Sequence, residues 1–347
     1  MYLAERLISM KAIILDAPQQ LLLIQQEDLQ TPGPHEALVR MRQVGVCGTD
    51  LHAFHGEQPF FTYPRILGHE VGVEVIAVGD QVKHVAAGTR CAVEPYFHCG
   101  KCPSCRRGKP NCCLHLQVFG VHIDGGMREY AIIPASYLHP SQSLSFEQLA
   151  LVEPLSIGSH AVARTQLARD ERVLVVGAGP IGLAVTQFAL LAGAQVFVID
   201  ISESRLKFCQ SQWPEVTCIN GSQDPLVALQ DLVGDDLPTS VFDATGNPHS
   251  MKSSFQYVAY GGRLTFVGLF QGDLSFHDPY FHSHEMTLLS SRNSTSVDFR
   301  RIIEYLEAGQ IKLDAWITHR ASADTVVEVF PHWFDRDSGI IKAVISF

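Results

Sequence analysis

Val173-Leu174-Val175-Val176, followed at once by Gly177-Ala178-Gly179-Pro180-Ile181-Gly182, decides how this chain is read. The first four residues form a short, continuously apolar run, the mark of a strand buried on both faces. The glycine motif then opens an apolar helical stretch through Leu183, Val185, Phe188, Ala189 and Leu190. In that setting each glycine has its own reason. Gly177 permits a tight turn, Gly179 lets backbone approach a pyrophosphate, and Gly182 lets helix and strand pack closely. Pro180 and Ile181 begin the helix, whose amino end offers free amides and partial positive charge. Asp200 ends the next strand about twenty residues on, where a carboxylate accepts hydrogen bonds from a ribose and repels a 2′-phosphate. NAD is therefore expected over NADP. Arg205 is the opposing feature, because an arginine near this site accepts that phosphate in NADP enzymes.

Around this motif, from Glu171 to about Gly268, apolar strands alternate with helical stretches, the rhythm of a doubly wound α/β fold with a parallel sheet. Lys11 to about Gly88 reads differently, as short β-rich runs separated by turn residues: Ala12 to Leu15, Glu36 to Met41, and Val71 to Val78. A helix is expected over Phe299 to Leu306 and a closing strand over Ile340 to Ile345. With 347 residues, two domains are the natural expectation. The formal charge of -10 opposes binding to nucleic acid or anionic lipid, which clustered Lys and Arg carry. The opening Met1 to Leu7 fails as a signal peptide because charges interrupt it, and no run is long enough to span a membrane.

Five of the nine cysteines crowd between Cys99 and Cys113, and without an export signal this favours metal binding in a reducing cytoplasm over disulfides. Cys99, Cys102 and Cys105 stand at C-x-x-C spacing, with Cys113 following after a loop. Four such thiolates enclose a tetrahedral Zn²⁺ and leave no position for substrate, so this site is expected to be structural. Cys112 competes with Cys113, but only one of two neighbouring side chains can face the metal, and Cys113 is preferred. A second set is dispersed: Cys47 with Thr49, Asp50 and His52, then His69-Glu70, then Glu153. Thiolate, imidazole and carboxylate together suit a Zn²⁺ with an open position, although spacing alone cannot bring these segments together.

At these motifs the chain resembles the zinc-containing medium-chain dehydrogenases, the family of alcohol, sorbitol and threonine dehydrogenases. G-V-C-G-T-D-x-H, G-H-E, the four-cysteine lobe, E-P-L and the glycine fingerprint occur in family order over nearly the whole chain. The resemblance implies a GroES-like, β-rich catalytic domain over residues 1–154 and 295–347, interrupted by a Rossmann NAD-binding domain over residues 155–294. It implies two zinc ions per subunit and a homo-oligomer, dimer or tetramer. Cys47 and His69 would hold the catalytic zinc, with Glu70 and Glu153 sharing the remaining protein position; Thr49 would hand on the substrate proton and His52 pass it toward solvent. Asp50 would orient its neighbours, and Thr245, Val267 and Leu269 would join the cofactor contacts. One departure is that Gly72 stands a place earlier than in the family's G-H-E-x-x-G. Residues before Met10 read as an extension.

Gln58 to Arg65, Gly120 to Gly126, Val267 to Phe270 and Ser291-Arg292-Asn293 bring the resemblance nearer to the branch that oxidises sugar acids of the L-galactonate and L-gulonate type at C5. Arg292 and Asn293 are then the candidate substrate contacts. The expected chemistry is oxidation of a secondary hydroxyl, made acidic by zinc, with hydride passing to NAD. Polyol and L-threonine dehydrogenases are the neighbouring readings. A catalytically inactive NAD-binding regulator is disfavoured by the intact set Cys47, Thr49, His52, His69 and Glu153. A nucleic-acid-binding zinc module is disfavoured by the acidic balance.

Overall fold

A computed structural model of the chain describes residues 9–27, 31–58, 61–335 and 338–347. The segment before Ser9, and Pro59 and Phe60 in the stretch from Gln58 to Arg65, lie outside the described residues. The chain divides into two compact units. One runs to Glu153 and resumes over Thr295–Phe347, and the other is Pro154–Ser294.

The first unit is built on a seven-stranded sheet whose centre is the long strand Glu36–Val46. Alternation buries Ala37, Val39 and Met41 on one face, as period-2 patterning dictates. The strand Glu70–Val78 and the last strand, Lys342–Ser346, flank its carboxyl end, both antiparallel to it, with Glu70 opposite Gly45 and Ala343 opposite Val46. The geometry has a consequence for function. Antiparallel neighbours begin where the central strand ends, so Cys47, Glu70 and Lys342 come to the same end of the sheet. Val73, Val75, Ile133 and Ile345 fill the core beneath it. Among the described residues, no helix is long and apolar enough to cross a membrane.

The second unit carries the α/β fold expected from the sequence: six parallel strands in the order 3-2-1-4-5-6, counted along the chain from Arg172–Val176. The order reverses between the first strand and the fourth, Ser240–Asp243, and in such sheets ligands bind beyond the carboxyl ends at that switch. Gly177 follows the first strand and Thr245 the fourth, so both motifs stand at the switch point. The helix Pro180–Leu191 buries Leu183, Val185 and Phe188. Its close seat on the strand depends on Gly182, where a Cβ would lie 1.7 Å from the carbonyl oxygen of Gly177.

Candidate active site

The cysteine lobe forms a cage. The sulfurs of Cys99, Cys102, Cys105 and Cys113 all lie within 4.8 Å of one another, while Cys112 is exposed. Backbone amides point at the sulfurs: Cys99 N donates to Cys113 Sγ at 3.3 Å, Cys102 N to Cys99 Sγ at 3.4 Å, and His115 N to Cys113 Sγ at 3.3 Å. Such amides stabilise thiolates, and those of Cys105 and Leu114 help pull the Cys102 thiol down to about 6. Burial instead pushes the Cys105 thiol up to about 12, so it is the convergence of four sulfurs that fits a zinc ion and leaves no open face.

The second cluster gathers Cys47, His69 and Glu70, whose ligand atoms also lie within 4.8 Å of one another. Cys47 caps the helix Gly48–His55, so its sulfur sits at the positive end of a helix dipole. Asp50 ties the cluster together. Its Oδ2 accepts from Cys47 N at 2.9 Å, and its Oδ1 lies 3.7 Å from His69 Nδ1. At that distance the carboxylate acts on the ring through its charge, not through a hydrogen bond. Burial opposes a charge on His69, yet the fields of Asp50, Cys47 and Glu153 overcome it and hold the imidazole well above its usual pKa.

Glu70 is fully buried, and its carboxylate occupies the space left by Gly45, where a Cβ would lie 2.1 Å from Glu70 Oε2. Its Oε1 accepts from the Lys342 ammonium, which also donates to Val46 O at 3.1 Å. Its Oε2 has no hydrogen-bond partner. A buried carboxylate oxygen without a donor, beside a thiol and an imidazole, fits a metal ligand. Glu153 stands outside the 4.8 Å cluster; its Oε1 accepts from the Tyr96 hydroxyl, and burial first, then the Glu70 charge, push it up to about 7. Thr49 and His52 lie on the helix after Cys47, with His52 exposed and its Nδ1 3.2 Å from Glu57 Oε2.

Tyr96 and Lys342 escaped the sequence reading. Lys342 left one signal, a lone cation in an otherwise apolar strand, which is rare unless paired. Tyr96 left none.

The motifs around His69 owe their composition to backbone packing. At Gly125 a Cβ would fall 2.4 Å from Gly120 Cα and 2.5 Å from the oxygens of Leu67 and Gly68. Gly125 N donates to Ile66 O and Gly126 N to Gly68 O, both at 2.8 Å, so residues 120–126 form a bed beneath the turn that delivers His69. Gly72, one place early, has its own role, because a Cβ there would meet Phe146 O at 2.2 Å. Phe61 packs against Tyr63 and the core.

In the nucleotide-binding unit Gly177 adopts φ +101°, and Gly179 caps the helix that follows. Asp200 Oδ2 accepts from Ala178 N at 2.6 Å and its Oδ1 from Ser202 N at 2.8 Å. Arg205 is exposed, with Nη1 3.9 Å from where a Gly179 Cβ would stand. Thr245 is held by buried Asp243, whose Oδ1 accepts from Thr245 N at 2.9 Å and from its hydroxyl at 2.7 Å. The carbonyl of Asp243 accepts from Val267 N at 2.8 Å, which brings the loop carrying Val267 and exposed Leu269 beside Thr245. Arg292 is exposed just past the sixth strand. Asn293 adopts φ +51° and its buried Nδ2 lacks a partner.

Comparison with known proteins agrees with this chemistry. Residues 33–143 match the alcohol dehydrogenase GroES-like domain and residues 180–308 the zinc-binding dehydrogenase domain. The chain is 40% identical to L-galactonate-5-dehydrogenase of Escherichia coli, covering 98% of this chain and 99% of that protein. An E. coli alcohol dehydrogenase complexed with NADH superposes with a TM-score of 0.91 at 31% identity, covering 97% of this chain and 99% of the other. A putative zinc-binding dehydrogenase of Sinorhizobium meliloti bound to NADP gives a TM-score of 0.91 at 28% identity, over 98% and 100% of the two chains. With two partly buried ligand clusters in one unit and a dinucleotide fold in the other, the chain belongs to the medium-chain, zinc-type alcohol dehydrogenase family, oxidoreductases of CH–OH donors.

Proposed function

We propose that the protein oxidises a secondary hydroxyl of a sugar acid of the L-galactonate or L-gulonate type to the 5-keto acid, with NAD as acceptor. The observation that carries this reading is the 40% identity to L-galactonate-5-dehydrogenase over essentially the full length of both chains. Asp200, poised between two backbone amides, supports NAD over NADP, since a 2′-phosphate would face a carboxylate.

Cys47, His69 and Glu70 would hold one zinc ion, and Cys99, Cys102, Cys105 and Cys113 a second. When bound, zinc at the first site supplies the Lewis acid that acidifies a substrate hydroxyl, and NAD supplies the hydride acceptor. The chain's own residues do the rest. Asp50 holds the amide of Cys47 and sets its charge 3.7 Å from His69 Nδ1. Thr49 would relay the hydroxyl proton, giving up its own as it accepts, and exposed His52, beside Glu57, would release a proton to solvent. Arg292 and Asn293 orient the substrate carboxylate. The assembly is proposed to be a dimer or tetramer, which light scattering checks.

NADH production scanned over L-galactonate, L-gulonate, sorbitol and L-threonine, with and without chelator, tests the reading. Preference for an aldonate, lost with chelator, supports it. Faster turnover of sorbitol or threonine overturns the sugar-acid assignment, and no chelator-sensitive turnover on any of them overturns the metal-dependent reading.

A further inference from the structure

Two buried carboxylates act on His69 or stand beside it at the candidate cation site, and each is held through its Oε1 by a buried partner of different chemistry. Glu70 is paired with the Lys342 ammonium and Glu153 with the Tyr96 hydroxyl. We propose that Tyr96 is a positioning residue that keeps Glu153 out of the metal's coordination shell, so that Glu70 is the carboxylate ligand; this rests on the metal reading given above. Glu70 Oε2 lies within the ligand cluster and has no other partner, whereas Glu153 is outside that cluster.

Tyr96 can act this way because it has little freedom to follow Glu153. It is buried on the short strand Tyr96–Phe97, paired with Gln117–Val118, three residues before the cage residue Cys99. On either side the chain is pinned: Glu94 N donates to Tyr137 O, Phe119 N to Pro95 O, and His98 N to the Tyr137 hydroxyl at 2.8 Å. Phe97 packs on Tyr137 with ring centroids 4.6 Å apart. The phenol is thus fixed by the cysteine lobe, and Glu153 is drawn toward it by a buried hydrogen bond that would be costly to leave unmade.

Cobalt(II) exchanged into the protein reports coordination through its visible d–d bands, read at this site as the difference from Cys47→Ser, which lacks the ligand thiol. The wild-type difference spectrum is expected to persist in Glu153→Gln. In Tyr96→Phe the bands should weaken as a further oxygen enters the shell, and Tyr96→Phe combined with Glu153→Gln should restore them. An unchanged spectrum in Tyr96→Phe overturns the proposal, as does a changed one in Glu153→Gln alone, an arm that still decides if Tyr96→Phe does not fold. An empty wild-type difference spectrum would instead bring down the metal reading, and the proposal with it.

Discussion

Asp200 Oδ2 accepts a hydrogen bond from the amide of Ala178 at 2.6 Å, so the acid at the end of one strand is tied to the glycine turn at the end of its neighbour. The carboxylate is thereby held where an adenosine ribose meets such a turn. NAD should be preferred to NADP by at least about tenfold in kcat/KM, roughly 1.4 kcal/mol. Asp200→Ala should shrink that ratio, because exposed Arg205 then faces the 2′-position without an opposing charge. A ratio unaltered in the variant would assign the discrimination to another residue.

Freshly purified protein should contain two zinc ions per chain, one for each ligand cluster. Cys102→Ser should lose one of them, because Cys102 Sγ lies 3.4 Å from Cys105 Sγ and 3.8 Å from Cys113 Sγ, in the middle of the cage. Metal analysis of the two proteins side by side checks this. Equal contents would dismiss the cage as a zinc site.

Lys342 and Glu70 form a buried ion pair, with the side chains 3% and 0% exposed. Removing one partner of such a pair leaves a bare buried charge and costs about 3–5 kcal/mol. Lys342→Met should therefore be destabilised by that order in chelator, measured by denaturant unfolding. Much of the loss should return in the double variant Lys342→Met, Glu70→Gln, where no charge is stranded. If Lys342→Met unfolds at the wild-type midpoint, the pair contributes nothing.

The Rossmann unit was legible because its evidence is local: strand, glycine turn, helix and acid follow one another along the chain. The cysteine cage was legible for the same reason. The open site was legible only as ingredients, since antiparallel pairing on both sides of Glu36–Val46 is what gathers Cys47 and Glu70, and pairing partners are not written in spacing. Tyr96 was invisible because its role depends on a hydrogen bond across 57 positions. The glycines of Gly120 to Gly126 show the opposite case. In the sequence they mark a substrate class, and the structure gives them a backbone reason.

That reason predicts the behaviour of Gly125→Ala. The added methyl has no room between Gly120 Cα and the oxygens of Leu67 and Gly68, so the bed must shift and His69 with it. Overpacking of this kind costs about 1–3 kcal/mol or more. The variant should lose the Cys47-site metal while the cage keeps its own, a loss of one zinc in two. Retention of both metals at unchanged stability would mean that the bed yields without disturbing His69.

Arg292 is exposed directly after the sixth strand, and Asn293 beside it is held in the left-handed region with a buried amide nitrogen that lacks a partner. Left-handed backbone at a residue other than glycine is a local cost that binding sites commonly carry. A guanidinium matches a carboxylate with two parallel hydrogen bonds, which a neutral polyol terminus cannot return. Arg292→Ala should therefore lower kcat/KM for an aldonate by roughly 2 kcal/mol, the scale of a lost charged hydrogen bond, and hardly change turnover of the matching neutral polyol. Because the polyol shares the reacting hydroxyl, the metal ligands and NAD, it cancels any general damage to the enzyme. Equal losses on both substrates would give Arg292 a role in the fold or in cofactor binding, and the polyol reading would then be preferred.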